Sequence, residues 1–150
     1  MTTATLQVGG MGWVLPAGVG SGLDILQTAA STAAAAAENS ALDGFSAKPY
    51  LSSVKGYLDP ASSFCLAASS LALRGAGTAA PTPTAGLREQ SGICSLTRYG
   101  ATLSGFRFYE QFLRKGPRLA SPLIFPHGYA NTAGNLAAIE FEFGGPHMVF

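Results

Sequence analysis

The segment from Asp59 to Gly75 constrains the fold of this chain most. It carries the start and stop signals of one helix, and most side chains between them are small. Asp59 is a good N-cap, Pro60 suits the first helical position, and Gly75 suits the end of the helix. Apolar residues recur at helical spacing from Phe64 to Leu71, and most other positions are Ala or Ser. Small side chains let a second backbone approach closely. The sequence therefore predicts a helix that is buried on more than one side.

A glycine-rich stretch, Gly9 to Gly12, follows a short strand predicted at Thr5–Val8. A strand followed by glycines is typical of a phosphate-binding loop, but Leu15 stands where the third glycine of GxGxxG is required. The alternative is a tight crossing, in which the glycine backbone lies directly against a neighbouring element. We prefer the crossing to a nucleotide site.

Further elements follow from hydrophobic periodicity and from glycine and proline signals. Helices are predicted at Leu23–Ala37, Thr102–Lys115 and Tyr129–Phe143, an extended segment at Ser121–Pro126, and strands at Ser91–Thr97 and His147–Phe150. Helices that alternate with strands indicate an α/β fold. With only three strand candidates, we expect the sheet to be incomplete.

Length and charge exclude several classes of protein. A chain of 150 residues suits one domain. Nine Lys and Arg against eight Asp and Glu leave a net charge of +1, which argues against a general nucleic-acid binder. Charged residues make up 11% of the chain, well below the roughly 25% of typical soluble domains, so we expect extensive burial within the domain or against a partner.

The two cysteines, Cys65 and Cys94, form neither a disulfide framework nor a metal-binding cluster. For each we favour a buried structural thiol over a reactive one. No signal-peptide pattern is visible, and no apolar run approaches the ~20 residues of a membrane span. We therefore expect a cytoplasmic protein with no cofactor, no metal and no membrane span.

The one charge cluster spans Arg98 to Arg118. Its only acid is Glu110, and its cations are Arg98, Arg107, Arg114, Lys115 and Arg118. We favour a solvated helix face, and the alternative is a docking patch for an acidic partner.

Three segments together resemble the N-terminal half of a β-ketoacyl synthase, a condensing enzyme of the thiolase fold. They are Leu6–Gly18 (LQVGGMGWVLPAG), Lys55–Gly77 (KGYLDPASSFCLAASSLALRGAG) and Gly116–Pro146, which begins with GPRLASPLIFP and continues through Asn131 and an Ala-rich helix to Gly-Pro. The resemblance covers nearly the whole chain. It implies a thiolase-like α/β fold with a mixed sheet flanked by helices, of which residues 1–150 form an incomplete half-domain that stops before the nucleophile elbow.

The resemblance also implies an activity. Family members condense an acyl thioester with a malonyl-acyl carrier protein by decarboxylative Claisen chemistry, using a nucleophilic Cys and two His. By this resemblance the nucleophile would lie about four residues beyond Phe150, and the two His belong to the C-terminal half. His127 and His147 do not match them, and we expect structural or surface roles for both. The chain alone is therefore expected to be inactive, with no catalytic residue of its own.

Non-catalytic positions transfer from the family. Ile124 matches a position that lines the acyl channel near the dimer interface, with ordinary core packing as an equal alternative, and Phe125 adjoins it. Asn131 matches the Asn that opens the interface helix, or simply caps a helix. Candidates for carrier-protein docking are Arg107, Arg114, Lys115 and Arg118.

The resemblance leaves three functions as alternatives. In the first, the chain is the N-terminal part of a ketosynthase of fatty-acid or polyketide biosynthesis, completed by its own C-terminal half. Alternatively it is a non-catalytic subunit, like the chain-length factors of polyketide and aryl-polyene systems, which binds a ketosynthase and shapes its acyl channel. The third alternative is a degenerate remnant. The expected partners are a ketosynthase subunit and an acyl carrier protein, in a dimer or heterodimer.

Overall fold

The structure, a computed structural model, describes residues 7–16, 18–27, 42, 44–77 and 88–150. Its helices are α1 (Pro60–Gly75), α2 (Thr102–Lys115) and α3 (Thr132–Phe141). Its strands are β1 (Gly12–Leu15), β2 (Gly18–Ser21), β3 (Ile93–Ser95) and β4 (His147–Val149), and short 3-10 turns cover Lys48–Tyr50 and Phe125–Gly128. The predicted bounds of α1 and α2 are confirmed, and α3, β3 and β4 are shorter than predicted.

Two small sheets appear in the described part of the chain, where the sequence predicted one mixed sheet. β1 and β2 pair antiparallel, with Trp13 opposite Gly20, and β3 and β4 pair parallel, with Cys94 opposite Met148. The first predicted strand was misplaced: Gln7 and Val8 are not in a strand, residues 5 and 6 lie outside the described ranges, and β1 begins only at Gly12.

Helix α1 is the centre of the described fold, because β1, β2 and α3 all pack against it. A Cβ atom added to Gly12 would lie 2.0 Å from the Ala68 carbonyl oxygen, and one added to Gly10 would lie 2.2 Å from that of Ala72. No real Cβ atom comes so close, so only glycine permits this contact. The prediction of a tight crossing is confirmed, and the small residues of α1 supply its other side.

The core lies between α1 and α3. Leu66 and Phe141 are fully buried there with Ala137, and partly buried side chains such as Leu58 and Ile93 surround them. Many large apolar side chains of the described residues are exposed, and those of α2 form one group: Leu103, Phe106, Tyr109, Phe112 and Leu113. Burial is therefore more extensive along α1, with four buried residues, than along α2, where only Ser104 is buried.

Asp59 joins two helices through one buried carboxylate. One of its oxygens accepts a hydrogen bond from the Ala61 backbone N–H at 3.0 Å, which caps α1 as predicted. The other accepts from the Ser104 N–H at 2.9 Å, in the first turn of α2. The residue before α2, Ala101, has no side chain that caps a helix. Asp59 therefore caps α1 locally and α2 from a distance.

Two other sequence predictions need correction or fall partly outside the described residues. Residues 122–124 form a turn and a 3-10 turn follows, although Ser121–Pro126 was predicted to be extended. A proline's fixed φ fits the first position of a helical turn as well as an extended chain, which explains the error. Of the helix predicted at Leu23–Ala37, residues 24–27 are helical and residues 28–37 lie outside the described ranges.

Candidate functional site

The surface around α2 and the following 3-10 turn holds most of the predicted site residues. The Phe125 ring lies 5.0 Å from the Phe108 ring of α2 and 5.2 Å from the Tyr129 ring, measured between centroids. Below these rings the two backbones touch, because a Cβ atom on Gly128 would lie 3.0 Å from Gly105 Cα. Aromatic contacts and a glycine-to-glycine approach thus fix the turn against α2.

Two open grooves follow α2 and share Phe106 and Tyr109. The larger, of about 550 Å³, is bordered by Leu103 and Leu113 and by the Arg107 and Arg114 side chains. The smaller, of about 370 Å³, lies over Thr102, Gly105 and Gly128. Phe106 is 67% exposed and Tyr109 is 59% exposed, so these two rings form an apolar ridge between the grooves. Apolar surface of this extent on one helix is typical of a face that a ligand or partner covers.

The structure places the predicted channel and interface residues close to this surface. Ile124 is half-buried and Phe125 is exposed, which does not decide between a channel and a core role for Ile124. Asn131 immediately precedes α3, as predicted, but its side chain forms no capping hydrogen bond. It lines a cavity of about 300 Å³ with His127 and Tyr129.

The four predicted docking cations are all exposed. Arg107 and Arg114 border the larger groove of α2, and Arg114 pairs with Glu110 at 2.9 Å, one helical turn away. Lys115 ends α2, and Arg118 lies just beyond it. This exposure suits a solvated helix face and a docking patch equally, so both alternatives stay predictions.

Neither cysteine lies in an arrangement that activates a thiol. Cys65 is half-buried within α1, where burial raises its pKa more than a hydrogen bond with Ser69 lowers it. Cys94 is exposed in β3, so the expectation of a buried thiol was wrong there, because no described element covers that face of the two-stranded sheet. Thiolates form where positive charge lowers the pKa. The surroundings of Cys65 do the opposite.

The two histidines lie in different elements, and His147 pairs across the sheet with Ile93, the residue before Cys94. His147 is exposed at the start of β4, and His127 is half-buried in the 3-10 turn. The His127 Nδ1 atom is buried and has no hydrogen-bond partner among the described residues. No group of three potential metal ligands occurs in the described ranges, and none of the helices there has the length and apolarity to cross a membrane.

Glu140 is the polar residue of α3 that the sequence analysis missed. Its side chain is only 1% exposed and lies 2.7 Å from the Lys55 Nζ atom. Burial raises the pKa of this carboxyl, but hydrogen bonds from Lys55, Ser53 and Ser52 outweigh that effect and hold the pKa at about 2. The available signal was an acid at helical spacing from Leu136 and Ala137, on a face that is otherwise apolar.

Comparison with known proteins identifies the fold of the chain and no closer relationship. No family model matches the chain, and no curated protein matches it. Among solved structures, the chain is similar to one described as the ishigamide ketosynthase/chain length factor, with a TM-score of 0.71 and 16% sequence identity. The match covers 95% of this chain and 39% of that one, so the chain spans about two fifths of the length of its structural neighbour. A likeness at this identity shows that the chain has a ketosynthase-like α/β fold.

Proposed function

We propose that this chain is a β-ketoacyl synthase-like N-terminal domain that serves fatty-acid or polyketide assembly and carries out no acyl transfer by itself. The observation that carries the proposal is the structural likeness to a ketosynthase/chain length factor over 95% of the chain. The three sequence segments that resemble the condensing enzymes support it independently, because they were identified from residues alone. Residues 1–150 would then correspond to the half of the fold that precedes the nucleophile.

The exposed apolar surface of α2 supports a role as one part of a larger assembly. Phe106, Tyr109 and Leu113 are each more than half exposed, beside the turn that carries Ile124 and Phe125. Acyl chains bind to apolar surface, and partner subunits cover it. We propose that Ile124 and Phe125 line part of an acyl channel that is closed only when a second ketosynthase-like unit covers α2.

The surroundings of Cys65 and Cys94 support the proposal that this chain transfers no acyl group by itself. A condensing enzyme needs a thiolate that accepts the acyl group. Burial raises the pKa of Cys65. His147 is paired with Ile93 across β3 and β4, so its side chain lies on the opposite face of the sheet from that of Cys94.

The test is incubation of the purified chain with an acyl thioester, followed by mass spectrometry of the intact protein and its peptides. We expect no adduct on Cys65 or Cys94, and a fully active ketosynthase treated in parallel shows that the reagent works. A stoichiometric acyl adduct on either cysteine would contradict the proposal.

A second candidate is a chain-length-factor-like subunit that binds a ketosynthase. Two observations favour it: the neighbour's description names both subunit types, and α3 together with the residue before it presents an exposed row, Asn131, Asn135 and Ile139, four residues apart. Ile139 is 69% exposed. Residues with this spacing face one side of a helix, so they offer one continuous surface to a partner.

Sedimentation with a cognate ketosynthase tests this association. Ile139→Arg is expected to abolish complex formation, because a buried unpaired charge in an interface costs several kcal/mol, of the order of 2–5. Leu26→Arg is the matched control, since Leu26 is 67% exposed and lies outside α3. If both variants bind like the original chain, α3 is not the interface.

Carrier-protein docking at the basic residues of α2 has its own test. Charge reversal of Arg114 and Lys115 to Glu is expected to weaken binding of an acidic carrier protein, most strongly at low salt. The matched control reverses Lys48 and Arg74, two exposed cations outside α2. Equal binding by the two double variants would exclude the docking site.

A further inference from the structure

Five hydrogen-bond donors from one short loop meet at a single buried carboxylate. They belong to Ser52, Ser53 and Lys55, which we call the anion nest, and the carboxylate is that of Glu140 on α3. The donors are the two serine backbone N–H groups, the two serine hydroxyls and the Lys55 ammonium group. A cluster of this kind, built from successive backbone N–H groups and a cation, is the general form of an anion-binding site in proteins.

The donors divide between the two carboxylate oxygens. Glu140 Oε1 accepts from the Ser52 N–H, from the Ser52 hydroxyl at 2.9 Å and from the Ser53 N–H at 3.3 Å. Glu140 Oε2 accepts from the Ser53 hydroxyl and from the Lys55 Nζ at 2.7 Å. This division of donors suits a flat anion with two oxygens, such as a carboxylate.

Leu51 and Leu58, on either side of the loop, pack against the core, but within the loop polar contacts hold the nest. Val54, in the middle of the loop, is 98% exposed, and Tyr57 is 57% exposed with a φ of 58° that a bulky side chain rarely adopts. Lys55 also donates to the Ser53 hydroxyl at 2.7 Å, so the nest residues are connected to one another as well as to Glu140. The donors are therefore arranged by the loop's own hydrogen bonds and by the anion that they surround.

We propose that the loop Ser52–Lys55 is a carboxylate-binding site whose resident ligand is the side chain of Glu140. In the folded chain, Glu140 fills the site and fastens the loop to α3. A small external carboxylate is excluded while Glu140 is present and binds when the Glu140 side chain is removed. This inference does not depend on the proposed function.

Acetate is the matched probe, because Glu140→Ala removes a group equal to acetate less one hydrogen. We expect acetate to raise the thermal midpoint of Glu140→Ala above its value in chloride at the same ionic strength, in a saturable way. The original chain and Glu142→Ala are controls and should respond equally to the two salts, since Glu142 is exposed on the same helix end. The backbone amide resonances of Ser52 and Ser53 in Glu140→Ala should shift with the same saturation curve.

Equal responses of Glu140→Ala to acetate and chloride would overturn the proposal. A larger response to phosphate than to acetate would overturn the assignment to carboxylates. If Glu140→Ala does not fold, Glu140→Gln decides: it keeps the shape but turns an acceptor into a donor that faces Ser53 and Lys55. The Ser52 N–H keeps an acceptor oxygen, but that oxygen is now neutral, so we expect this amide to exchange about tenfold faster with solvent, since hydrogen bonds to charged groups are the stronger ones. The Ser104 amide, held by Asp59, should be unaffected, and an unchanged Ser52 exchange rate would overturn the proposal.

Discussion

Replacement of Asp59 by Ala should destabilise the chain more than the loss of an ordinary helix cap, because one carboxylate serves two helices. Its bond to the Ala61 N–H caps α1, and such a cap is worth about 1 kcal/mol. Its bond to the Ser104 N–H is buried, and a hydrogen bond to a charged group contributes roughly 1.5–3 kcal/mol. Ser104 is only 4% exposed, so its N–H gains little from water once Asp59 is gone. The expected sum is about 3 kcal/mol.

Urea unfolding followed by circular dichroism measures this loss. With a slope of about 2 kcal/mol per molar urea, Asp59→Ala should lower the midpoint by roughly 1.5 M. Asp59→Asn keeps one acceptor oxygen and should fall between the original chain and Asp59→Ala. Asp24→Ala removes an exposed acid and should leave the midpoint within about 0.3 M, as surface substitutions do.

Amide hydrogen exchange of the same variants distinguishes the effect of the substitution on α1 from its effect on α2. In Asp59→Ala the Ser104 amide should lose protection in addition to the amides at the start of α1, because the two carboxylate oxygens serve different helices. A midpoint within 0.3 M of the original chain, or unchanged protection of Ser104, would refute the view that Asp59 joins α1 to α2.

Three further predictions concern individual residues. The pKa of the Glu140 carboxyl is about 2 in the folded chain and 4.5 in the unfolded chain. The ionised carboxylate therefore stabilises the fold above about pH 4.5, and this stabilisation is lost as the pH falls through 2. The full effect is about 3 kcal/mol, so urea midpoints of the original chain and Glu140→Gln should converge in acid. Glu142 ends α3 with a left-handed φ of 56°, so Glu142→Gly should stabilise the chain by about 1 kcal/mol in thermal unfolding, because the exposed pair with Arg88 contributes less than the backbone strain costs. Gly12→Ala should cost about 1–3 kcal/mol through its clash with α1, whereas Gly105→Ala, with its nearest neighbour 3.8 Å away, should gain up to about 1 kcal/mol. Equal effects of the two glycine substitutions would contradict the crossing.

Local signals were sufficient for α1 and α2 because each signal acts within one or two turns. The Asp59 cap, the spacing of apolar residues in α1 and the glycine after Lys115 specify helix ends through neighbours in the sequence. The strands were less predictable, since β3 and β4 have only three residues each and depend on a partner that is distant in the chain. The β-ketoacyl synthase resemblance indicated the fold from motif order, and the structural likeness agrees with it at the level of the fold.

The sequence by itself determined where α1 and α2 begin and end, that the Gly9–Gly12 stretch lacks a nucleotide fingerprint, and which cations cluster near α2. Only the tertiary structure decided what those residues touch. It set the Gly12 backbone against Ala68 and gave Asp59 a second helix to cap. It also surrounded Glu140 with donors from a distant part of the sequence, since Ser52 and Ser53 lie 88 and 87 positions before it. Such contacts join residues that no local pattern relates, because they arise only when separate elements pack together.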